Sequence, residues 1–411
     1  MSWLVRAFFL LVAGAALAGL IGSAACTRRG KSSPLPPTSS PLTTIDVNPK
    51  TGSDTTGNGT PDKPYKTLTK AIAVVKSSAT TGLTIQLSVG TYDAANGEVF
   101  PIVIPTSVSI AGTGYGTRSF RTSGSFINGA GEDTAYEKLL GRPNSRKDFA
   151  TIEVAQSVTS GASVSGVYVG ADRLGLPAGG AYAAADTLGS LVASRVTFAA
   201  GTPLSHPAVA GLLVAGGSLN CTACTILGSD YALLALTPPN GTAPSIVLTG
   251  QPTQSLIGGT IGIDTDGSAS IDASYQTFQS RRYGYRDAVA PIVSPVPLAG
   301  VVDFGHGPTQ SAGGNIFIGA ASMLSEISVT VAQTLVYAFG DTWNPHTQGT
   351  NAQGLYPKAR TFRPGDSGRN VTIAPNAAGA AVRVGPIPPP TPTPAPSPTP
   401  SGGPTPTPTP T

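Results

Sequence analysis

A six-residue phrase that returns at a steady interval constrains this chain more than any other feature. It reads Val164-Ser-Gly-Val-Tyr-Val169, Ala193-Ser-Arg-Val-Thr-Phe198, Cys221-Thr-Ala-Cys-Thr-Ile226 and Ala273-Ser-Tyr-Gln-Thr-Phe278. The first three copies start about 28 residues apart and the fourth falls close to two intervals further on, which is a coil length of the solenoid range. Within each phrase alternate residues can face an interior while the small residue between them turns a corner. A single lap cannot bury its apolar face, so laps must stack, with the strands of consecutive laps parallel and in register.

The front of such a stack needs a lid, and residues 45–110 supply one. A Gly/Asn/Asp-rich loop runs into a short helix, predicted over Thr67 to Ser77, with Leu68, Ala71, Ile72 and Val75 on one face at i, i+3, i+4 and i+7. An alternating strand follows, with Ile85, Leu87 and Val89 on one side and Thr84, Gln86 and Ser88 on the other; Val108 and Ile110 repeat the alternation one lap later. Without the helix, the first coil would leave its core and its backbone edge open to water. No helical periodicity of comparable length appears after residue 80. The fold class expected is all-β, a single-stranded parallel β-helix (solenoid) with an N-terminal capping α-helix. A multi-bladed or sandwich all-β fold is the runner-up, but the Asn-Gly and Asp-Gly hairpin signals that it needs are few.

Charged residues make up 11% of the 411, well below the roughly 25% of ordinary soluble domains. Small polar residues take their place, as on an extracellular β protein. A net charge of +4 is small for this length, so no nucleic acid partner is expected. Residues 1–25 read as a signal peptide: one basic residue, an apolar run from Ala7 to Ile21, and small residues up to Ala25. Ala24-Ala25-Cys26 resembles the lipobox of bacterial lipoproteins, with Ser23 departing from its usual Leu. Lipidation at Cys26 would tie the protein to a membrane, at the outer membrane or cell surface. Residues 26–44 form a Pro/Ser/Thr tether, 45–385 the β-helix domain, and 386–411 a disordered Pro/Thr-rich tail.

Several short blocks carry a family likeness. Val47-Asn48-Pro49, Gly52-Ser53-Asp54, Gly59-Thr60, Pro64-Tyr65-Lys66-Thr67-Leu68, Ala71-Ile72, Gly90-Thr91-Tyr92, Glu98 and Phe100-Pro101-Ile102 stand at the front. Val302-Asp303-Phe304-Gly305, Gly314-Asn315-Ile316-Phe317 and Ala338-Phe339-Gly340-Asp341-Thr342-Trp343-Asn344-Pro345 stand near the rear. Together they resemble a bacterial surface family of unassigned function whose members are similar to pectate-lyase-like right-handed parallel β-helices. The resemblance implies a right-handed coil and no catalytic residues.

Four groups of side chains are candidates for chemistry. Arg281, Arg282, Tyr283, Tyr285 and Arg286 form the densest cationic and aromatic cluster. Tyrosine rings stack on sugar faces and arginine grips carboxylates or sulfates in bidentate fashion, so this cluster is the candidate ligand site. Asp264, Asp266 and Asp272 lie just upstream and offer oxygen ligands suited to Ca²⁺; Asp264-Thr-Asp-Gly reads equally as a turn. Cys221 and Cys224 make a CxxC inside a strand phrase, aligned with Val164/Val167 and Ala193/Val196, and are expected in the core with or without a disulfide. Gly305-His306-Gly307 resembles an element of polygalacturonases, but the paired carboxylates of that chemistry are missing around it. The function expected is a cell-surface β-helix lipoprotein that binds carbohydrate or serves a structural, adhesive role without catalysis. The alternative is a Ca²⁺-dependent polysaccharide lyase. The partner expected is an extracellular or cell-wall polysaccharide, with no cofactor unless Ca²⁺ is bound.

Overall fold

The columns implied by the phrases are the ladders of the structure. The computed structural model describes residues 43–388 apart from 79–80, 115–122, 135–147, 172–180, 201–208, 240, 251–254, 289–299, 319–324, 344–355, 357 and 367–369. The expected signal peptide, Cys26, nearly all of the expected tether and the Pro/Thr-rich tail beyond 388 lie outside the described residues. A 12-stranded and a 16-stranded sheet are formed. The first runs through Leu83–Leu87, Val108–Ala111, Ala162–Ser165, Ser190–Ser194, Ser218–Thr222, Ser245–Thr249 and Ser270–Ser274. The second holds two ladders, one through Val167–Ala171, Thr197–Ala200 and Thr225–Leu227, the other through Asp148–Val154, Ala181–Thr187, Val209–Ala215 and Tyr231–Leu236. The ten-residue strands Leu256–Thr265 and Thr277–Arg286 join those two ladders into one surface. Among the described residues the strands pair in parallel, except Gly131–Glu132 on Asp148–Val154 and Arg360–Phe362 on Ala381–Gly385. The chain is therefore a parallel β-helix with three faces.

The core follows from alternation within each lap. Ile85, Ile110, Val164, Ala193, Cys221, Leu248 and Ala273 are successive register partners, and all are buried. Each large aliphatic in such a column contributes about 1.5–3 kcal/mol by leaving water. Cys221 and Cys224 sit in this interior joined as a disulfide, where the phrase alignment places them. The corner is set by backbone conformation, not by size. Gly166, Arg195, Ala223 and Tyr275, the third residue of each phrase, all have left-handed φ, between 51° and 60°. The Arg195 and Tyr275 side chains stand exposed, so bulk is tolerated where a small residue was expected.

The front end is capped, and the rear laps carry an aromatic column. The helix spans Leu68–Ser77, with Thr67 as its N-cap and Leu68, Ala71, Ile72 and Val75 buried. Glu98, thirty residues downstream, accepts hydrogen bonds from the Leu68 and Thr69 amides at 2.6 and 2.8 Å, and Asp54 holds the Lys66 and Thr67 amides. These carboxylates satisfy amides that a helix start leaves open. The backbone edge of the first strand, Thr44–Val47, is covered by the Gly/Asn/Asp-rich loop through Asp46 N to Gly59 O and Asn48 N to Tyr65 O. The next strand ends at Leu87, one corner earlier than the alternation to Val89 implied. At the rear, Phe278, Phe317 and Trp343 stack on successive laps at 4.6 and 4.7 Å between ring centroids. Tyr356 and Phe362 continue this aromatic chain edge-on.

Candidate functional site

Strand Thr277–Arg286 brings the predicted cationic and aromatic residues to one lateral surface, but not all of them to the same side. Tyr285 pairs in register with Ile263 and Ile327 and is buried in the core, where its ring packs edge-on against Phe304. Alternation along a strand forces this, because Arg286 and Tyr285 must face opposite sides. Tyr285 is therefore a core residue and leaves the ligand set. Arg281 and Arg282 are exposed, while Tyr283 and Arg286 are half-buried.

Arg286 is held in place. Its Nε and Nη2 donate to Asp264 Oδ1 and Oδ2 at 3.2 and 2.5 Å, the bidentate geometry that makes arginine–carboxylate pairs strong. Asp264 is 0% exposed and the arginine side chain 24%, so the anion lies behind the cation. The guanidinium also sits 5.4 Å from the Tyr283 ring centroid. Tyr231, from strand Tyr231–Leu236, lies close enough to this pair to feel its charges; burial, and then the Asp264 charge, push its phenol above the usual range. The cluster thus spans three consecutive strands: Tyr231, Asp264, and Tyr283 with Arg286. Burial raises the Asp264 carboxyl, while the Arg286 hydrogen bond and charge work the other way.

The three aspartates proposed for Ca²⁺ do not converge. Asp264 is engaged by Arg286. Asp266 caps a corner, accepting from the Thr237 amide at 2.7 Å and from the Ser268 amide and hydroxyl. Asp272 lies on Ser270–Ser274, in the other sheet, half-buried with its neighbours Ile271 and Ala273 turned inward. Sequence proximity put the three close along the chain, but the corner between the sheets turns them apart. Among the described residues no group of three His, Cys, Asp or Glu is arranged to hold a metal ion. The Gly-His-Gly element is a turn wrapped around buried Asp303, which accepts from the Gly305, Gly307 and Thr309 amides.

A second feature escaped the sequence reading. Asp133, Asp148, Glu153 and Asp186 are all buried, at the ends of the insertion 132–148 and beside it. Asp186 is the register partner of Glu153. Burial pushes Glu153 up to about 7, with Asp133 adding to the effect and Lys76 opposing it. Asp186 is held far above the carboxylate range by burial, then by Asp133, Glu153 and Asp148. The acidic residues at outward positions of DFATIEV and AYAAADT were the available signal. Tyr231 was missed for another reason: it lies some fifty residues from the arginines it joins.

With the geometry in view, the comparisons with known proteins are modest. A family model described as "Protein of unknown function (DUF1565)" matches residues 50–172, less than half of the chain. No curated protein matches. Among solved structures, a GH136 lacto-N-biosidase from Eubacterium ramulus is similar at 9% identity and a TM-score of 0.30, over 74% of this chain and 65% of that one. The chain thus spans just under two thirds of that enzyme's length. A rhamnogalacturonan lyase is similar at 13% identity and a TM-score of 0.24, over 78% of this chain and 77% of that one. Likenesses at these scores carry no argument about activity.

Proposed function

We propose that this protein is a carbohydrate-binding β-helix module displayed at a cell surface and tethered through a lipidated Cys26. The observation that carries the reading is Arg286, anchored by Asp264 and flanked by Tyr231 and Tyr283 on a lateral surface. A pre-positioned guanidinium beside the Tyr283 ring offers hydrogen-bond donors next to an apolar face on which a sugar can stack, with little ordering cost on binding. The separation of Asp264, Asp266 and Asp272 supports a binding role over a Ca²⁺-dependent lyase, which would need other ligands. A glycan array probed with the wild-type protein and Tyr283→Ala tests the reading. Retention of glycans by the wild type and at least a fivefold loss in the variant are expected, since a sugar–aromatic contact is worth on the order of 1 kcal/mol. Unchanged retention by Tyr283→Ala would remove this surface from consideration. The mass of the mature N-terminus tests the anchor.

A further inference from the structure

The carbohydrate-binding reading leaves the class of sugar open, and the order of charges at the site narrows it. We infer that this surface takes an anionic glycan, one bearing carboxylate or sulfate groups, with Arg282 and Arg286 as its anion contacts; the inference rests on the binding role proposed above.

Sugar hydroxyls donate and accept alike, so hydrogen-bond donors alone do not select against neutral sugars; an excess of positive charge facing solvent is what favours an anion. Asp264 is fully buried behind Arg286, and both of its oxygens are already used. What faces outward is the guanidinium, which has five N–H donors and no acceptor. Asp264 takes the Nε and Nη2 edge, so the opposite Nη1 edge is the one turned to a ligand. Arg282 is exposed on the same strand, four positions earlier. The register slips by one residue between Ser280 and Tyr283, so the strand is irregular at Arg282 and its full extension of roughly 13 Å is an upper limit on the separation of the two Cα atoms. Arg281 adds positive charge beside them. Tyr283, between the two arginines in sequence, gives the apolar face that a sugar ring needs. A surface of arginine donors backed by a buried carboxylate attracts acceptor-rich anions more strongly than neutral chains, which carry no charge to answer it.

The test uses the mature full-length protein and measures binding to polygalacturonate and alginate as carboxylate polymers, to chondroitin sulfate and desulfated chondroitin as a sulfate-dependent pair, and to a neutral galactan. Binding to the acidic polymers that weakens with added salt, with roughly a tenfold loss in Arg282→Ala and a larger one in Arg282→Glu, is expected. Loss of the chondroitin signal on desulfation would identify sulfate as the recognised group; its persistence, with polygalacturonate bound, would identify the carboxylate. Both support the inference. Equal binding of the neutral galactan, insensitive to salt and to Arg282→Glu, would overturn the anionic assignment and leave the carbohydrate-binding role standing. Failure of the wild type to bind any of the five polymers would overturn both. Arg282 is exposed, so its variants fold, and Val192→Ala on the other sheet serves as a surface control.

Discussion

Replacing Glu326 with Gln should make the protein more stable at alkaline pH and leave it unchanged in acid. Glu326 is buried one residue before Ile327–Val329, on the lap that carries Phe317, and its Oε2 has no hydrogen-bond partner. Burial pushes its carboxyl from 4.5 up to about 7. A group whose folded value lies above its unfolded value binds its proton more tightly in the folded state. Its contribution is therefore complete below about pH 4.5 and is lost as pH rises through 7. The gap corresponds to about 3 kcal/mol, a large share of the stability of an ordinary domain. Gln is close in shape to the neutral acid and cannot ionise, so Glu326→Gln should match the wild type near pH 4 and exceed it by about 3 kcal/mol near pH 8. Trp343 is the one tryptophan besides Trp3, and it stacks on Phe317 in the same part of the coil. Its fluorescence during urea unfolding therefore reports on these laps. Other raised carboxyls, Glu153 and Asp287 among them, also weaken the wild type as pH rises, so the difference between the two proteins is the quantity to read. A variant no more stable than wild type near pH 8 would refute the reasoning.

Two further outcomes follow from the aromatic column and the front cap. Phe317→Ala removes the central ring of the Phe278–Phe317–Trp343 stack and should cost about 3–5 kcal/mol, seen as an earlier urea midpoint and a red-shifted Trp343 emission. Glu98→Ala leaves the Leu68 and Thr69 amides without their carboxylate and should cost about 1–3 kcal/mol, with faster amide exchange at the helix start while the rear laps keep their protection.

The interior of the coil was legible in the chain because its rule is local. Alternation along each strand decides which residues enter, and the phrase interval decides which of them stack. Hence the phrases align Cys221 with Ala193 and Val164, and the capping helix shows its buried face at i, i+3, i+4 and i+7. The corner was read for the wrong reason: smallness suggested it, but a left-handed φ defines it, and Arg195 and Tyr275 satisfy that with their side chains in solvent.

The lateral site was half legible. The arginines and Tyr283 announced themselves as a cluster, but the same alternation that built the core also removed Tyr285 from it. Asp264 looked like one of three metal ligands because it lies near Asp266 and Asp272 along the chain. Strand registry instead sets Asp264 beside Arg286, twenty-two residues on.

Sequence periodicity alone was thus sufficient to specify a stacked parallel coil, its inward columns and its front lid, since each depends on neighbours within a lap. Which outward side chains meet, whether Asp264 faces a metal or a guanidinium, and how four carboxyls come to be buried together depended on the registry between laps and on the corners between sheets. Those contacts join residues tens of positions apart, and their chemistry exists only once the laps are stacked.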